Sequence, residues 1–179
     1  MADSALAMLH RLVYRLGQVR QQLGFVAPLS AEEHVRLAQW LPAPALLLFQ
    51  AMSPADQRHS LRVFQGLLAR GCVDNDLLAA ALLHDAGKAQ GRVPFWTRPA
   101  IVLGKLCAPR LLKRLVVYPY EDRAMPAWRR ALSNAWWHAE IGADLAAAAG
   151  LSEKAVLYIR THHQPDGPAA ELHLVDEAS

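Results

Sequence analysis

The sequence predicts an all-α fold, a single helical bundle, on three observations. Apolar residues recur at three- and four-residue spacing almost throughout, alternating strand patterns are missing, and helix start and stop signals fall between the apolar runs. A length of 179 residues suits one domain with a continuous core. With 53% hydrophobic and 20% charged residues the composition is that of a globular chain, not a disordered one.

Taken in order, residues 4–23 form a predicted first helix, and a second begins after Ser30, where Ser30 and Glu33 have capping-box spacing. Leu37 to Ala55 carries no charge and has nearly the length of a membrane span. Pro42, Pro44, Pro54, Gln39 and Gln50 interrupt it, so it reads as buried core and turns. Ser53-Pro54-Ala55-Asp56 is the clearest start signal: a cap, a proline at the first helical position and an acid to close the box. That helix is expected to run to about Arg70 and stop at Gly71, since glycine enters the left-handed region cheaply.

His59, Val63 and Leu67 share the inward stripe of this helix. The next, from about Asp74 to Gly87, is apolar on all sides and is expected to be the central buried helix. Prolines at 94, 99, 109, 119 and 126 break residues 91–126 into short helices or loops. A long helix is expected over residues 127–149, with His138, Ile141 and Leu145 on one face and Gly150 as its stop. Ser152 caps another that ends at His162 and His163, and a last short helix carries Leu172 and Asp176.

Net charge is +3, unevenly spread: nine Lys or Arg against Glu121 and Asp122 give residues 92–130 a local +7. Such a surface suits a phosphorylated ligand, an acidic partner or an anionic membrane face. From sequence alone the preferred reading of this segment is a solvated face. Pro94-Phe95-Trp96 and Ile101-Val102-Leu103, mixed with Lys105, Arg110, Lys113 and Arg114, make peripheral membrane contact the less favoured alternative. No duplex nucleic acid partner is expected. Cys72 and Cys107 stand far apart and outside any C-x-x-C spacing, so neither a thiolate zinc motif nor a disulfide framework is indicated. With no apolar leader at the N-terminus, the expected compartment is the cytoplasm.

Collecting the polar residues on inward faces gives His59, His84, Asp85, His138, His162, His163 and Asp176. Burying unpaired ionisable groups costs several kcal/mol each, so so many in one core call for a compensating metal ion. Imidazole and carboxylate without thiolate suit iron, manganese, cobalt, nickel or zinc better than calcium or magnesium. The ligand count argues for more than one ion. His84 and Asp85 are neighbours about 100° apart on a helix; near a helix end both can lean toward one point, which leaves a bridging role open to Asp85.

These residues resemble a known family. His84-Asp85-Ala86-Gly87-Lys88 is similar to the HD-x-G-K signature of HD-domain metal-dependent phosphohydrolases, and the segment Asp56 to Val63 resembles the helix that brings the family's first histidine ligand. His138-Ala-Glu-Ile-Gly-Ala resembles the additional histidine element of the HDIG and HD-GYP branches. Thr161-His162-His163-Gln164 resembles their paired histidines, and Leu174-Val175-Asp176-Glu177 the final aspartate element. The resemblance spans Ser53 to the C-terminus, interrupted by the basic insertion at about 91–126, with residues 1–52 as N-terminal helices. It implies His59, His84, Asp85 and Asp176 as a core metal site, and His138, His162 and His163 as completing a second. Asp85 and Lys88 would be the catalytic pair, with Lys88 contacting substrate phosphate or a water beside the metal. The Gly-Tyr-Pro element is absent, His163 being followed by Gln-Pro-Asp-Gly-Pro-Ala, and cyclic di-GMP hydrolysis is not implied. Asp176 lies three residues from the end of the chain, where fraying is the expectation.

The implied activity is hydrolysis of a phosphomonoester or phosphodiester, foremost in a nucleotide. One or two divalent ions, iron or manganese first and zinc, cobalt or nickel as alternatives, would lower the pKa of bound water; a pair would stand about 3.5–4 Å apart. Two other readings compete: a di-iron oxygenase of HD type, and a regulatory module that binds a nucleotide without turnover. The set His10, His34 and His173 lacks partners in the pattern and reads as surface or supporting residues. Trp136 and Trp137 read as core and rim packing.

Overall fold

The computed structural model describes residues 26–91, 93–94, 96–118 and 125–179; the expected helix over residues 4–23 lies outside them. Among the described residues there are ten α-helices and no strand, as the periodicity predicts. Ser30 caps α1 (Ala31–Leu37) through a complete capping box, its hydroxyl accepting from the Glu33 amide while the Glu33 carboxylate accepts from the Ser30 amide. The uncharged stretch after it contains a helix not anticipated as one, α2 (Ala43–Gln50), with Pro44 in its first turn and Ala45 and Phe49 fully buried. Proline both broke the run and started this helix, because its missing amide costs nothing in a first turn.

The Ser53 signal opens α3 (Pro54–Ala69), with the Ser53 hydroxyl accepting from the Asp56 amide. Arg58 ties this helix back toward the N-terminal side, bonding Glu33 at 2.6 Å and the carbonyls of Ala27 and Pro28. Gly71, at φ 83°, ends the turn after α3 in the left-handed region, and Gly150 does the same at φ 86°. The buried central helix, α4 (Asn75–Leu83), is buried at every position from Leu77 to Leu83. It ends four residues before the expected Gly87: His84 and Asp85 form a turn, and a 3-10 segment runs over Ala86–Gly91.

Residues 91–126 hold α5 (Thr97–Cys107) and α6 (Pro109–Leu115), in keeping with short helices broken at proline. The single long helix expected over 127–149 is two, α7 (Ala127–Trp136) and α8 (His138–Ala148), broken at Trp137. The break sits where the 3-10 segment presses on α8. A Cβ on Gly87 would lie 2.0 Å from the His138 carbonyl oxygen and 2.8 Å from the Gly142 nitrogen, so glycine alone allows this approach. The remaining helices are α9 (Glu153–Thr161), capped by the Ser152 hydroxyl, and α10 (Ala170–Ala178). Asp176 therefore lies inside a formed helix.

The main core joins α1 to α4 with α8, α9 and α10 around Phe49, Leu67, Leu82, Ile159 and Leu172. A smaller cluster of Leu112, Val116 and Leu132 sits under the α5–α6 hairpin, with Trp96, Ile101 and Trp136 against it. Among the described residues no helix is long and apolar enough to cross a membrane.

Candidate metal centre

Three of the expected ligands share one local device. His84 follows the end of α4, His138 opens α8 just after α7 has ended, and His162 follows the end of α9. A helix end leaves carbonyls without amide partners, and each imidazole bonds one of them three residues back. Nδ1 of His84 lies 2.9 Å from the Ala81 oxygen, that of His138 2.9 Å from Ala135, and that of His162 2.6 Å from Ile159. A carbonyl only accepts, so Nδ1 carries the proton in all three rings and Nε2 faces the centre.

The Nε2 atoms of His84 and His162 are buried and have no hydrogen-bond partner. Each such orphan costs about 1–3 kcal/mol, and two side by side have no rationale in packing. A cation supplies one.

The side chains gather into two groups, each with ligand atoms within 4.8 Å of one another: His59, His84 and Asp176 in one, His138, His162 and His163 in the other. In the first, His59 Nε2 is 2.8 Å from Asp176 Oδ1, and His84 Nε2 is 3.5 Å from the same oxygen. In the second, His138 Nε2 and His163 Nε2 stand 2.9 Å apart. Because Nδ1 holds the His138 proton, that contact requires His163 to donate, an arrangement that a shared cation would replace. Two ligands about 2.1 Å from one ion stand at most about 4.2 Å apart and about 3.4 Å at tetrahedral angles, so the widest-set atoms of either group would close by roughly 0.5–1.5 Å on binding.

Asp85 stands between the groups. Its Oδ2 is 3.6 Å from His84 Nε2 and 4.0 Å from His59 Nε2, while its Oδ1 is 3.7 Å from His138 Nε2. One oxygen faces each group. The Lys88 ammonium contacts Asp85 Oδ2 directly.

The electrostatics fit a place built for positive charge. Burial alone would lower the His84 pKa, but the Asp85 and Asp176 carboxylates outweigh it and raise it to about 9. A proton drawn onto Nε2 then stands where a cation would. Burial would raise Asp85, yet Lys88 and the surrounding imidazoles hold it well below the usual carboxylate range. Asp176 is likewise lowered against its burial, by the hydrogen bond with His59 and by the nearby His84 ring. His138 is pushed down to about 3 by burial and then by the Lys88 charge. His162 and His163 are lowered by burial as well, His162 also by the neighbouring rings. Neutral imidazole is the form that binds a metal.

No family model, curated protein or solved structure matches this chain.

All seven sequence-predicted ligands, with Lys88, lie in this one region. His173, read as a surface or supporting residue, bonds the His162 carbonyl through Nδ1 at 3.1 Å and so braces the backbone behind that ring. Nothing in its spacing marks that contact. His34 bonds the Ser30 carbonyl and stays away from the centre, whereas His10 lies outside the described residues. The tryptophans pack as expected, Trp136 against the smaller cluster and Trp137 edge-on to Tyr118 at 5.8 Å.

Proposed function

We propose that this chain is a metal-dependent phosphohydrolase of HD type, acting on a phosphomonoester or phosphodiester, foremost in a nucleotide. The observation that carries the reading is Asp85, one carboxylate with an oxygen toward each of two histidine groups. The five-residue run His84 to Lys88, similar to the HD-x-G-K signature, supports it.

His59, His84 and Asp176 would hold one cation and His138, His162 and His163 a second, with Asp85 shared. The donors are imidazole and carboxylate only, which suits iron or manganese ahead of calcium or magnesium. A bound divalent cation supplies water activation near neutral pH and charge neutralisation at phosphorus.

The remaining work belongs to the chain. Backbone carbonyls fix three of the rings through Nδ1, so the ligand atoms are oriented before anything binds. Lys88, half-buried beside Asp85, places a compact positive charge at the edge of the centre, where it would bind a phosphoryl oxygen. Burial of His84, Asp85 and His162 keeps bulk water off the inner side of the site.

A panel of nucleotides and simple phosphate esters, assayed with manganese or iron, tests the reading. Release of phosphate or of a nucleoside monophosphate, under argon as well as in air, is the expected result, with His84→Ala and Asp85→Ala inactive. Turnover that needs oxygen would support the di-iron oxygenase instead. Nucleotide binding with no product across the panel would support the regulatory module.

A further inference from the structure

The α5–α6 hairpin leaves a second feature that the metal centre does not use. Helix α5 is apolar on two faces. Ala100, Ile101 and Gly104 turn inward against the smaller cluster and Leu112, while Val102, Leu103 and Leu106 point outward. Their exposures are 45%, 60% and 76%, and Leu111 at the start of α6 adds 57%. A surface helix normally hides its apolar stripe; here a second stripe faces outward.

Cations share the hairpin with this stripe. Arg98, Arg110, Lys113 and Arg114 are exposed and form no ion pair among the described residues, and residues 97–118 contain no Asp or Glu. Lys105 lies over the Trp136 ring at 5.0 Å. The sequence alone favours a solvated basic face. Four outward aliphatic side chains among the cations reverse that preference, because a solvated face has no use for them.

We propose that the α5–α6 hairpin is a peripheral docking surface for an anionic phospholipid bilayer. Charge complementarity selects this occupant. A second copy of the chain would bring the same positive charge to the contact, and residues 1–25, with Arg11, Arg15 and Arg20 against Asp3, are themselves basic. Single-stranded nucleic acid is held by aromatic side chains on which bases stack, whereas the exposed stripe is aliphatic. Leucine and valine flanked by Lys and Arg is the chemistry of an interfacial helix: the aliphatic groups enter the acyl boundary and the cations meet the headgroup charge. The proposal does not depend on the activity of the metal centre.

Vesicle co-sedimentation of the full chain tests it, with phosphatidylcholine alone set against phosphatidylcholine carrying phosphatidylserine. Binding is expected only to the anionic vesicles, and loss of it when salt rises from about 0.15 M to about 1 M. Lys113→Ala with Arg114→Ala is expected to weaken partition by about 30-fold. Leu103→Ser with Leu106→Ser, both at exposed positions where the fold is not at stake, is expected to weaken it too. Equal binding to neutral vesicles, or either pair of variants binding like the parent, would overturn the proposal. So would a parent chain that light scattering finds to be a dimer which the leucine variants dissociate, or one whose basic pair binds single-stranded RNA instead of vesicles.

Discussion

Replacing Gly87 by alanine tests how the centre is assembled without touching any ligand. The added methyl would lie 2.0 Å from the His138 carbonyl oxygen and 2.8 Å from the Gly142 nitrogen, both backbone atoms that cannot rotate aside. Real contacts stop near 3.0 Å, so the 3-10 segment and α8 must part by about 1 Å, an overpacking that costs about 1–3 kcal/mol. For a chain of this size that lowers Tm by roughly 2–12 °C. The consequence for the site follows from direction. Asp85 and Lys88 travel with the 3-10 segment and His138 with α8, so the 3.7 Å gap from Asp85 Oδ1 to His138 Nε2 opens beyond the roughly 4.2 Å that one ion spans. The group of His138, His162 and His163 then loses its share of Asp85, while His59, His84 and Asp176 keep theirs. Differential scanning calorimetry and metal analysis of the same preparation read both effects. Gly142→Ala, whose Cβ would lie 3.1 Å from the Gly87 nitrogen, is expected to show a smaller version. A Gly87→Ala protein with parental Tm and parental metal content would refute the claim that this contact joins the two groups.

Three further outcomes are expected. In the metal-free chain the buried His138 and His162 titrate below the ordinary 6.5, so the unfolded state takes up protons first and stability falls as pH drops below about 6.5, on the order of 1.4 kcal/mol per unit for each proton. His84 has the opposite sign, its contribution being full below 6.5 and lost as pH rises toward about 9. Thermal melts of chelator-treated protein should therefore peak near pH 6.5, and a Tm that climbs steadily from pH 6.5 to 9 would contradict this. Adding manganese at about a hundredfold its Kd should stabilise the folded state by about 2.7 kcal/mol, a gain of roughly 5–10 °C that His84→Ala abolishes. Lys88→Met should retain metal and fold but raise KM for a phosphorylated substrate by about 10- to 100-fold, through loss of a charge-assisted hydrogen bond; an unchanged KM would remove Lys88 from the substrate site.

The fold was legible where chemistry marks helix ends. Ser30, Ser53, Ser152, Gly71 and Gly150 all act as their types predict, because caps and left-handed stops are local. Two boundaries were not legible, and both lie at the centre. Continuous apolar periodicity predicts helix through His84 and through Trp137, but long-range packing ends α4 at Leu83 and breaks α7 from α8. The candidate ligands were readable as ionisable residues expected on inward faces; they converge, with His163 exposed at the edge of its group. The arrangement was not: that Asp85 faces both groups and that His173 braces His162 are facts of tertiary approach. The basic insertion shows the same limit, since sequence gave its charge but not that Leu103 and Leu106 face outward beside it.

The central claim is that cations hold these side chains together, and anomalous diffraction from metal-loaded crystals measures it most directly. The account predicts a peak between His59, His84 and Asp176 and, at saturating metal, another between His138, His162 and His163, with Asp85 reaching toward both. Loaded crystals with no peak at either group, or a His84→Ala, Asp85→Ala double variant that keeps the parental metal content, would contradict it.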